Sequence, residues 1–297
     1  MSRSDGPPAR SQGGSQLTIG AARRVTLDTP AGPIAALRSG TRGPVVLLVA
    51  GYTGSKEDFG PLLDPVAAAS FDVVAIDLPG QFETPGPADP AAYSPDALGR
   101  CVVAVAATLG SDVHLLGHSF GGLVARAAVI TAPARWCSLV LMGSGPAALG
   151  GARRRRIDLL APVLATGGMA GVYAATQAAA AAEPGYVAEP AELARFRARR
   201  FLASSPAMLL GMGQAIIAEP DRVAELAATG LPMLVLNGSR DDAWSPATQA
   251  TMACRLGAQH VVIAGAAHSP AIEAPAATAA ALLAFWRTPH EPAMIVG

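Results

Sequence analysis

The chain has 297 residues, 51% of them hydrophobic, and its 22 basic side chains balance 22 acidic ones. This length and apolar content allow one large α/β domain or two small ones, and they exclude wholesale disorder. The neutral net charge argues against a nucleic-acid-binding protein, which normally carries a basic face. No apolar run reaches the roughly 18 uninterrupted residues that a membrane span needs.

The ends of the chain and its cysteines predict a location. Residues 1–22 are rich in Gly, Pro, Ser and Arg and lack the apolar segment of a signal peptide, so we expect a disordered lead-in and a cytoplasmic protein. Residues 289–297 are expected to form a short tail. Cys101, Cys137 and Cys254 form no CxxC pair, which favours buried thiols in a reducing compartment over disulfides or a zinc site.

The predicted strands begin with a hairpin. Residues 24–28 alternate polar and apolar side chains, and residues 29–33 supply Pro and Gly for a turn. Residues 34–38 would then form the second strand of the hairpin. Residues 45–49 are apolar on both faces, which is typical of a strand covered by helices on both sides. Five further segments have the same character: residues 73–76, 113–116, 139–142, 233–236 and 260–263.

Stretches with helical periodicity lie between these strands. They are residues 96–109, 123–131, 246–256 and 271–287. Strands that alternate with helices imply βαβ units. We therefore predict an α/β fold with a mainly parallel central sheet flanked by helices.

The interval 146–230 interrupts this alternation. It contains no convincing strand, and its Ala- and Arg-rich composition has too many helix formers for a loop of this length. We predict a helical cap inserted after the sixth strand, between the core segments 23–145 and 231–288.

Residues 117–121 read Gly-His-Ser-Phe-Gly and lie between a predicted strand and a predicted helix. Glycine at both ends favours a sharp turn in which backbone segments pack closely. The stretch resembles the nucleophile elbow of the α/β-hydrolase family, in which a tight strand-to-helix turn exposes a serine hydroxyl. The resemblance implies that Ser119 is a nucleophile, and the alternative is a serine that only forms the turn.

A serine hydroxyl needs a base that removes its proton. Among the five histidines, only His268 follows a late strand in a loop, whereas the others lie in or at predicted strands, in the elbow or in the tail. The resemblance places the base after the last core strand, where His268 falls. The alternative is a surface-loop histidine without a chemical role.

The base in turn needs an acid that holds its tautomer. Asp241 and Asp242 follow a predicted strand that ends near Gly238. In the family the acid commonly stands three residues after a glycine at this strand end, which implies Asp241, with Asp242 as the competing choice. Adjacent side chains diverge, so we expect only one of the two to meet His268.

Hydrogen-bond donors must stabilise the oxyanion that develops during acyl transfer. The loop at residues 50–59 is similar to the family's His-Gly-x-x-Gly-Ser stretch, except that Ala50 stands where His is common. The resemblance implies an oxyanion hole formed by the backbone N–H groups of Tyr52 and Phe120. The turn at residues 77–81, Asp-Leu-Pro-Gly-Gln, also resembles a family turn, and we assign it a structural role.

Together these motifs imply a serine hydrolase with the α/β-hydrolase fold. It would cleave a carboxylic ester or related acyl bond of a small molecule through an acyl-enzyme, with no metal, organic cofactor, nucleic-acid partner or membrane partner. A thioesterase, an acyltransferase or a cofactor-free perhydrolase would use the same three residues. A non-catalytic ligand receptor could also retain them.

Two further features have open interpretations. The four arginines at 153–156 could bind an anionic substrate or a carrier phosphopantetheine, or they could form a solvated helix face. Met208 and Met212 could line an acyl pocket or pack the insertion against the core.

Overall fold

The computed structural model describes residues 14–288, and its centre is one eight-stranded sheet with the order β1-β2-β4-β3-β5-β6-β7-β8. The strands are β1 Arg23–Thr29, β2 Gly32–Ser39, β3 Val45–Val49, β4 Asp72–Ile76, β5 Val113–His118, β6 Trp136–Met142, β7 Met233–Gly238 and β8 Gln259–Ile263. β1 pairs antiparallel with β2, and β2 with β4, whereas every other neighbouring pair is parallel. The predicted mainly parallel α/β sheet is confirmed.

The helices confirm the predicted alternation, although one predicted helix is divided in two and the helix Gly60–Ala68 was not predicted. They are α1 Gly60–Ala68, α2 Pro95–Leu109, α3 Phe120–Thr131, α4 Gly151–Asp158, α5 Leu160–Ala181, α6 Ala191–Ala203, α7 Pro206–Ala218, α8 Val223–Ala227, α9 Pro246–Leu256, α10 Pro270–Glu273 and α11 Pro275–Arg287. The single helix predicted over 271–287 is wrong, because Ala274 adopts φ −146° and ψ 60° between α10 and α11. Ala274 precedes Pro275, and the proline ring disfavours a helical conformation of the residue before it.

The core lies on both faces of the sheet because the central strands are apolar on both sides. In β3, Val45, Leu47 and Val49 contact one apolar layer, and Val46 and Leu48 contact the other. The first layer includes residues of α2, α3 and α9, and the second includes residues of α1 and α11. Both faces are therefore closed, and loops at the carboxyl ends of the parallel strands are left to form a site.

The segment of residues 146–230, which we call the helical insertion, contains only helices and loops. α4 to α8 lie between β6 and β7. Met208 and Met212 of α7 are buried in the apolar layer that also contains residues of α2 and α3. These methionines therefore pack the insertion against the core. By contrast α4 buries no residue, and α5 buries only Leu164 and Val172.

The predicted lead-in of residues 1–22 differs from the structure over its last part. The Gly14 N–H donates to the Ile272 carbonyl at 2.7 Å, and the Gln16 side chain is buried. Tertiary contacts thus order a stretch whose composition alone indicated disorder. Residues 1–13 and the predicted tail lie outside the described residues.

The three cysteines are free, but only one of them has the predicted burial. Cys101 is buried, Cys137 is half-buried, and Cys254 is exposed. Cys254 differs because α9 covers the sheet with its opposite face, where Met252 and Ala253 lie.

Between residues 14 and 288, no single helix is long and apolar enough to cross a membrane. The pairs α4–α5 and α6–α7 reach that length and composition only together, and they bend by 66° and 91°.

Candidate active site

The turn between β5 and α3 places Ser119 at the carboxyl edge of the sheet. Ser119 has φ 55° and ψ −121°, a region that residues with a side chain rarely occupy. Its N–H donates to the Met142 carbonyl at 2.9 Å, and its own carbonyl accepts from the Gly122 N–H at 2.9 Å. These hydrogen bonds hold the strained turn, and Ser119 faces a cavity.

Two glycines of this turn are required by close backbone packing. A Cβ atom on Gly117 would collide with the backbone of Gly121, and one on Gly121 would collide with the carbonyl oxygens of Val49 and Ala50. The glycines that flank Ser119 in the sequence therefore let the strand, the helix and the loop after β3 approach one another.

Ser119, His268 and Asp241 form one hydrogen-bonded chain. His268 Nε2 lies 2.9 Å from Ser119 Oγ, and His268 Nδ1 lies 2.9 Å from Asp241 Oδ1. Because an ionised carboxylate only accepts hydrogen bonds, Nδ1 carries the proton and Nε2 is free to accept from the serine hydroxyl. The loops after β5, β7 and β8 deliver the three side chains to one edge of the sheet.

Asp241 and Asp242 point in different directions. The Asp241 side chain is fully buried, whereas that of Asp242 is 62% exposed. Asp242 forms a two-pronged salt bridge with Arg153, with distances of 2.6 and 3.1 Å. The structure therefore brings Asp241 to His268 and leaves Asp242 at the surface. Arg156, from the same run of arginines as Arg153, pairs with the exposed carboxylate of Glu183.

Further donors hold the Asp241 carboxylate. Its Oδ1 accepts from the Ala243 N–H at 2.9 Å, and its Oδ2 accepts from Gln249 Nε2 at 3.0 Å. Burial acts to raise the pKa of Asp241, but the hydrogen bond and charge of His268 and the two further donors outweigh it, so the pKa lies below its ordinary value. The carboxylate is therefore ionised at neutral pH.

The loop after β3 lies against Ser119. A Cβ atom on Gly51 would be 3.1 Å from Ser119 Cβ, so the peptide that joins Gly51 to Tyr52 runs beside the serine. Phe120 is the first residue of α3, where backbone N–H groups have no acceptor within the helix. The structure thus brings both predicted backbone donors close to Ser119. The Tyr52 hydroxyl donates to the Leu209 carbonyl of the helical insertion, and burial raises the pKa of that hydroxyl.

His118 is a second imidazole at the site that the sequence analysis set aside. Its ring centroid lies 5.0 Å from that of His268, and its Nε2 donates to the His268 backbone carbonyl at 2.8 Å. Burial and then the neighbouring His268 lower the pKa of His118 to about 4. His118 is therefore neutral at neutral pH, and it anchors the backbone that carries His268.

Sequence reasoning also missed Gln249 and Glu273, which hold the acid and the base in place. Glu273 accepts the N–H groups of Ala267 and Ser269, on either side of His268. An acidic residue in the first turn of α10 was a readable signal, because carboxylates stabilise helix N-termini. No comparable signal marks Gln249, since its bond to Asp241 depends on how α9 packs back onto the preceding loop.

A cavity of about 610 Å³ opens above Ser119, His268 and Tyr52. The core forms its floor, and the helical insertion supplies most of its apolar wall. The aliphatic residues of that wall are Leu149, Ile157, Leu160, Val172, Leu209 and Ile216, and Tyr173 and Phe201 add aromatic rings to it. The volume is within the range of about 300–1,000 Å³ that is typical of small-molecule sites. The arrangement can present a serine oxygen and an adjacent base to a small molecule in this cavity, which charged side chains such as Arg153 and Arg156 also line.

Comparisons with known proteins agree with this fold. The Alpha/beta hydrolase family matches residues 46–281. Pimeloyl-(acyl-carrier protein) methyl ester esterase from Aeromonas salmonicida strain A449 is 32% identical over 215 residues, which cover 70% of this chain and 82% of the esterase. Polyketide synthase ThaQ from Burkholderia thailandensis is 29% identical over 279 residues, which cover 90% of this chain but 13% of the synthase.

A solved structure of an esterase has a fold similar to that of this chain. A thermophilic esterase from Thermogutta terrifontis, solved with malate bound, has a TM-score of 0.74 and 25% sequence identity, and the match covers 90% of this chain and 98% of the esterase. The family match spans residues 46–281, which is most of the sequence and includes six of the eight strands except for Val45 at the start of β3, so this chain is a hydrolase that belongs to the α/β hydrolase family.

Proposed function

We propose that this hydrolase cleaves a carboxylic ester of a small molecule through an acyl-enzyme formed on Ser119. The observation that carries the proposal is the hydrogen-bonded chain from Ser119 Oγ through His268 to Asp241 at the floor of a cavity. An imidazole held by a buried carboxylate can take the proton of a serine hydroxyl as that hydroxyl attacks a carbonyl.

In the first half of the reaction, Ser119 Oγ attacks the ester carbonyl carbon and its proton passes to His268 Nε2. The carbonyl oxygen becomes an oxyanion that accepts hydrogen bonds from the Tyr52 and Phe120 N–H groups. Asp241 keeps the proton on Nδ1 and stabilises the imidazolium. The tetrahedral intermediate then expels the alcohol, which takes the proton from Nε2.

In the second half, water attacks the acyl-enzyme carbonyl and gives its proton to His268 Nε2. The second tetrahedral intermediate uses the same two N–H donors. It releases the carboxylic acid as Ser119 Oγ recovers the proton from His268. The protein is thereby returned to its starting protonation state, with one water consumed for each ester.

The walls of the cavity support an apolar acyl group. Leu160, Val172 and Leu209 line the space above the serine, and charged side chains line the rest of the same cavity, among them Arg153, Arg156, Arg197 and Arg200. The relatives also support an ester, since the Aeromonas and Thermogutta proteins are named as esterases.

The test is hydrolysis of p-nitrophenyl acetate and butyrate by the wild type and by Ser119→Ala. We expect Ser119→Ala to lower kcat/KM by about 10⁴-fold or more, because the nucleophile is lost. A fluorophosphonate probe should label the wild type on Ser119 and leave Ser119→Ala unlabelled. Parallel assays with the matching thioester, and with hydrogen peroxide as the acceptor, distinguish ester hydrolysis from the thioesterase and perhydrolase alternatives.

Ser144→Ala is the matched control. Ser144 is also a buried serine, its hydroxyl has no partner among the described residues, and it packs against Gly122 of the same turn. This variant should retain wild-type activity and labelling. Full ester hydrolysis by folded Ser119→Ala would show that Ser119 is not the nucleophile, and ligand binding without labelling of the wild type would favour a receptor.

A further inference from the structure

The turn after β4 lies directly behind the loop that carries Tyr52. Asp77 accepts the Lys56 backbone N–H at 2.8 Å and the Lys56 ammonium group at 2.7 Å, and all of these atoms are buried. A second contact joins the same two segments through Gln81, whose side chain is fully buried. The turn at residues 77–81, to which the sequence analysis gave a structural role, therefore holds the loop at residues 50–59 beside Ser119 at two points.

Gln81 contacts the loop through its carboxamide. Nε2 donates to the Gly51 carbonyl at 2.6 Å and lies 3.4 Å from the Tyr52 carbonyl, and Oε1 accepts from the Leu78 N–H at 2.9 Å. These partners fix which end of the amide is which, because a carbonyl only accepts and an N–H only donates. The Gly51 carbonyl also accepts from the Gly54 N–H at 3.1 Å, a bond within the loop itself.

The bond to the Gly51 carbonyl determines the direction of the Tyr52 N–H. The C=O of Gly51 and the N–H of Tyr52 belong to one planar trans peptide, in which the two groups point in opposite directions. A donor that holds the oxygen on one side therefore aims the hydrogen towards the other side. A hydrogen bond to the carbonyl also polarises the peptide and strengthens its N–H as a donor.

We propose that Gln81 is a positioning residue for the oxyanion hole, which it orients through the Gly51–Tyr52 peptide. This inference rests on the proposed function, because it assigns the Tyr52 N–H to the oxyanion. Gln81 does not contact the substrate. It acts by keeping one donor aimed at the oxygen whose charge develops in the transition state.

Gln81→Met tests the loss of the donor with little change in side-chain length. We expect kcat/KM for p-nitrophenyl butyrate to fall about 10- to 100-fold with KM nearly unchanged, less than the loss of a whole oxyanion donor. The affinity for a trifluoromethyl ketone with the same acyl chain, which forms a tetrahedral adduct with serine, should fall by the same factor. A purely structural role would not link these two losses.

Gln81→Glu tests the donor within an almost unchanged shape. Its Oε1 can still accept from the Leu78 N–H, and its second oxygen donates to the Gly51 carbonyl only while the carboxyl group is protonated. The activity of Gln81→Glu relative to the wild type should therefore be highest at low pH and fall as the carboxyl ionises. Gln81→Met should show a constant ratio over the same range.

Thr84→Val is the matched control in the same turn. The buried Thr84 hydroxyl accepts from the Ala35 N–H at 2.9 Å, on the side of strand β2 and not of Gly51. Thr84→Val should lose stability and keep both kcat/KM and the ketone affinity. Wild-type values in folded Gln81→Met, or a pH-independent ratio in Gln81→Glu, would overturn the role of Gln81 alone. Retained activity in Ser119→Ala would overturn the proposed function and this inference with it.

Discussion

The carboxyl edge of the sheet and the helical insertion form opposite sides of one cavity, and they are built differently. At the sheet edge, Ser119 and Asp241 are buried, and the bonds that join them through His268 are 2.9 Å long. In the insertion, α4 buries no residue and α5 buries two. The Arg156–Glu183 pair there is more than half exposed on both sides.

This difference separates the chemistry from the choice of substrate. Proton transfer and oxyanion stabilisation need fixed geometry, which the buried hydrogen bonds of the sheet edge supply. Segments with few buried apolar contacts open and shift at a small free-energy cost, so α4 and α5 of the insertion can change shape around different acyl groups, whereas α7 is packed into the core. Substitutions at the sheet edge should therefore slow all esters alike, whereas substitutions in the insertion should change the ranking of esters.

The largest effect is expected at the acid. Asp241→Asn removes the carboxylate that holds the Nδ1 proton of His268, and kcat/KM should fall about 10⁴-fold for acetate and hexanoate esters alike, as expected when the base is left in the wrong tautomer. The measurement is the initial rate of p-nitrophenyl ester hydrolysis for both chain lengths.

The adjacent residue supplies the control. Asp242→Asn removes an exposed salt bridge to Arg153, whose contribution to stability is expected to be about 0–1 kcal/mol, and it should stay within about threefold of the wild type. A large loss in Asp242→Asn with little loss in Asp241→Asn would assign the acid to Asp242. A loss in Asp241→Asn that depends strongly on chain length would contradict the division between chemistry and substrate choice.

A smaller and selective effect is expected at the apolar wall. Leu160 begins α5, is half-buried and lines the cavity, so Leu160→Trp should fill part of the space that a longer acyl chain would occupy. We expect kcat/KM for the hexanoate ester to fall about 100-fold, in line with the cost of misfitting a methylene or two, while the acetate ester is nearly unaffected. The measurement is a chain-length panel.

Leu159→Trp is the control for this change. Leu159 is the preceding residue, its side chain is 66% exposed, and it does not line the cavity. The chain-length profile of Leu159→Trp should match that of the wild type. An equal loss for acetate and hexanoate in Leu160→Trp would mean that the insertion also positions the reacting groups.

The sequence predicted the sheet well because buried parallel strands consist of continuous apolar runs. The segment at 45–49 coincides with β3, and its neighbours differ from the observed strands by a few residues at their ends. The elbow was readable for a related reason, since Gly117 and Gly121 are required by close backbone packing. The buried strands and the turn around Ser119 could be predicted because each depends on the residues of one short stretch of the chain.

Features that depend on packing between distant segments were not visible. The helix Gly60–Ala68 escaped prediction because Pro65 lies in its interior, where proline disfavours a helix, and its burial against α11 outweighs that cost. The contact between Gln81 and the Gly51 carbonyl spans 30 residues and has no periodic signature. Packing between distant segments decided these two cases, so the helix Gly60–Ala68 and the contact of Gln81 could be found only in the structure.

The smallest expected effect concerns the free energy of unfolding of the protein and not the rate of ester hydrolysis. His118 has a folded-state pKa of about 4, below the value of about 6.5 in an unfolded chain. As the pH falls below the unfolded-state value, the unfolded chain binds a proton that the folded protein does not, so stability is lost between these two pKa values. The wild type should lose about 2 kcal/mol of unfolding free energy from this group between about pH 7 and about pH 5.

His118→Asn removes the titrating group and retains an amide that can donate to the His268 carbonyl. The variant should be less stable than the wild type near neutral pH, because the buried imidazole packs against His268. Its unfolding free energy, measured with urea at both pH values, should then decline less than that of the wild type. Parallel declines in the two proteins would mean that other groups cause the acid sensitivity, and that the contact between His118 and the His268 backbone withstands protonation.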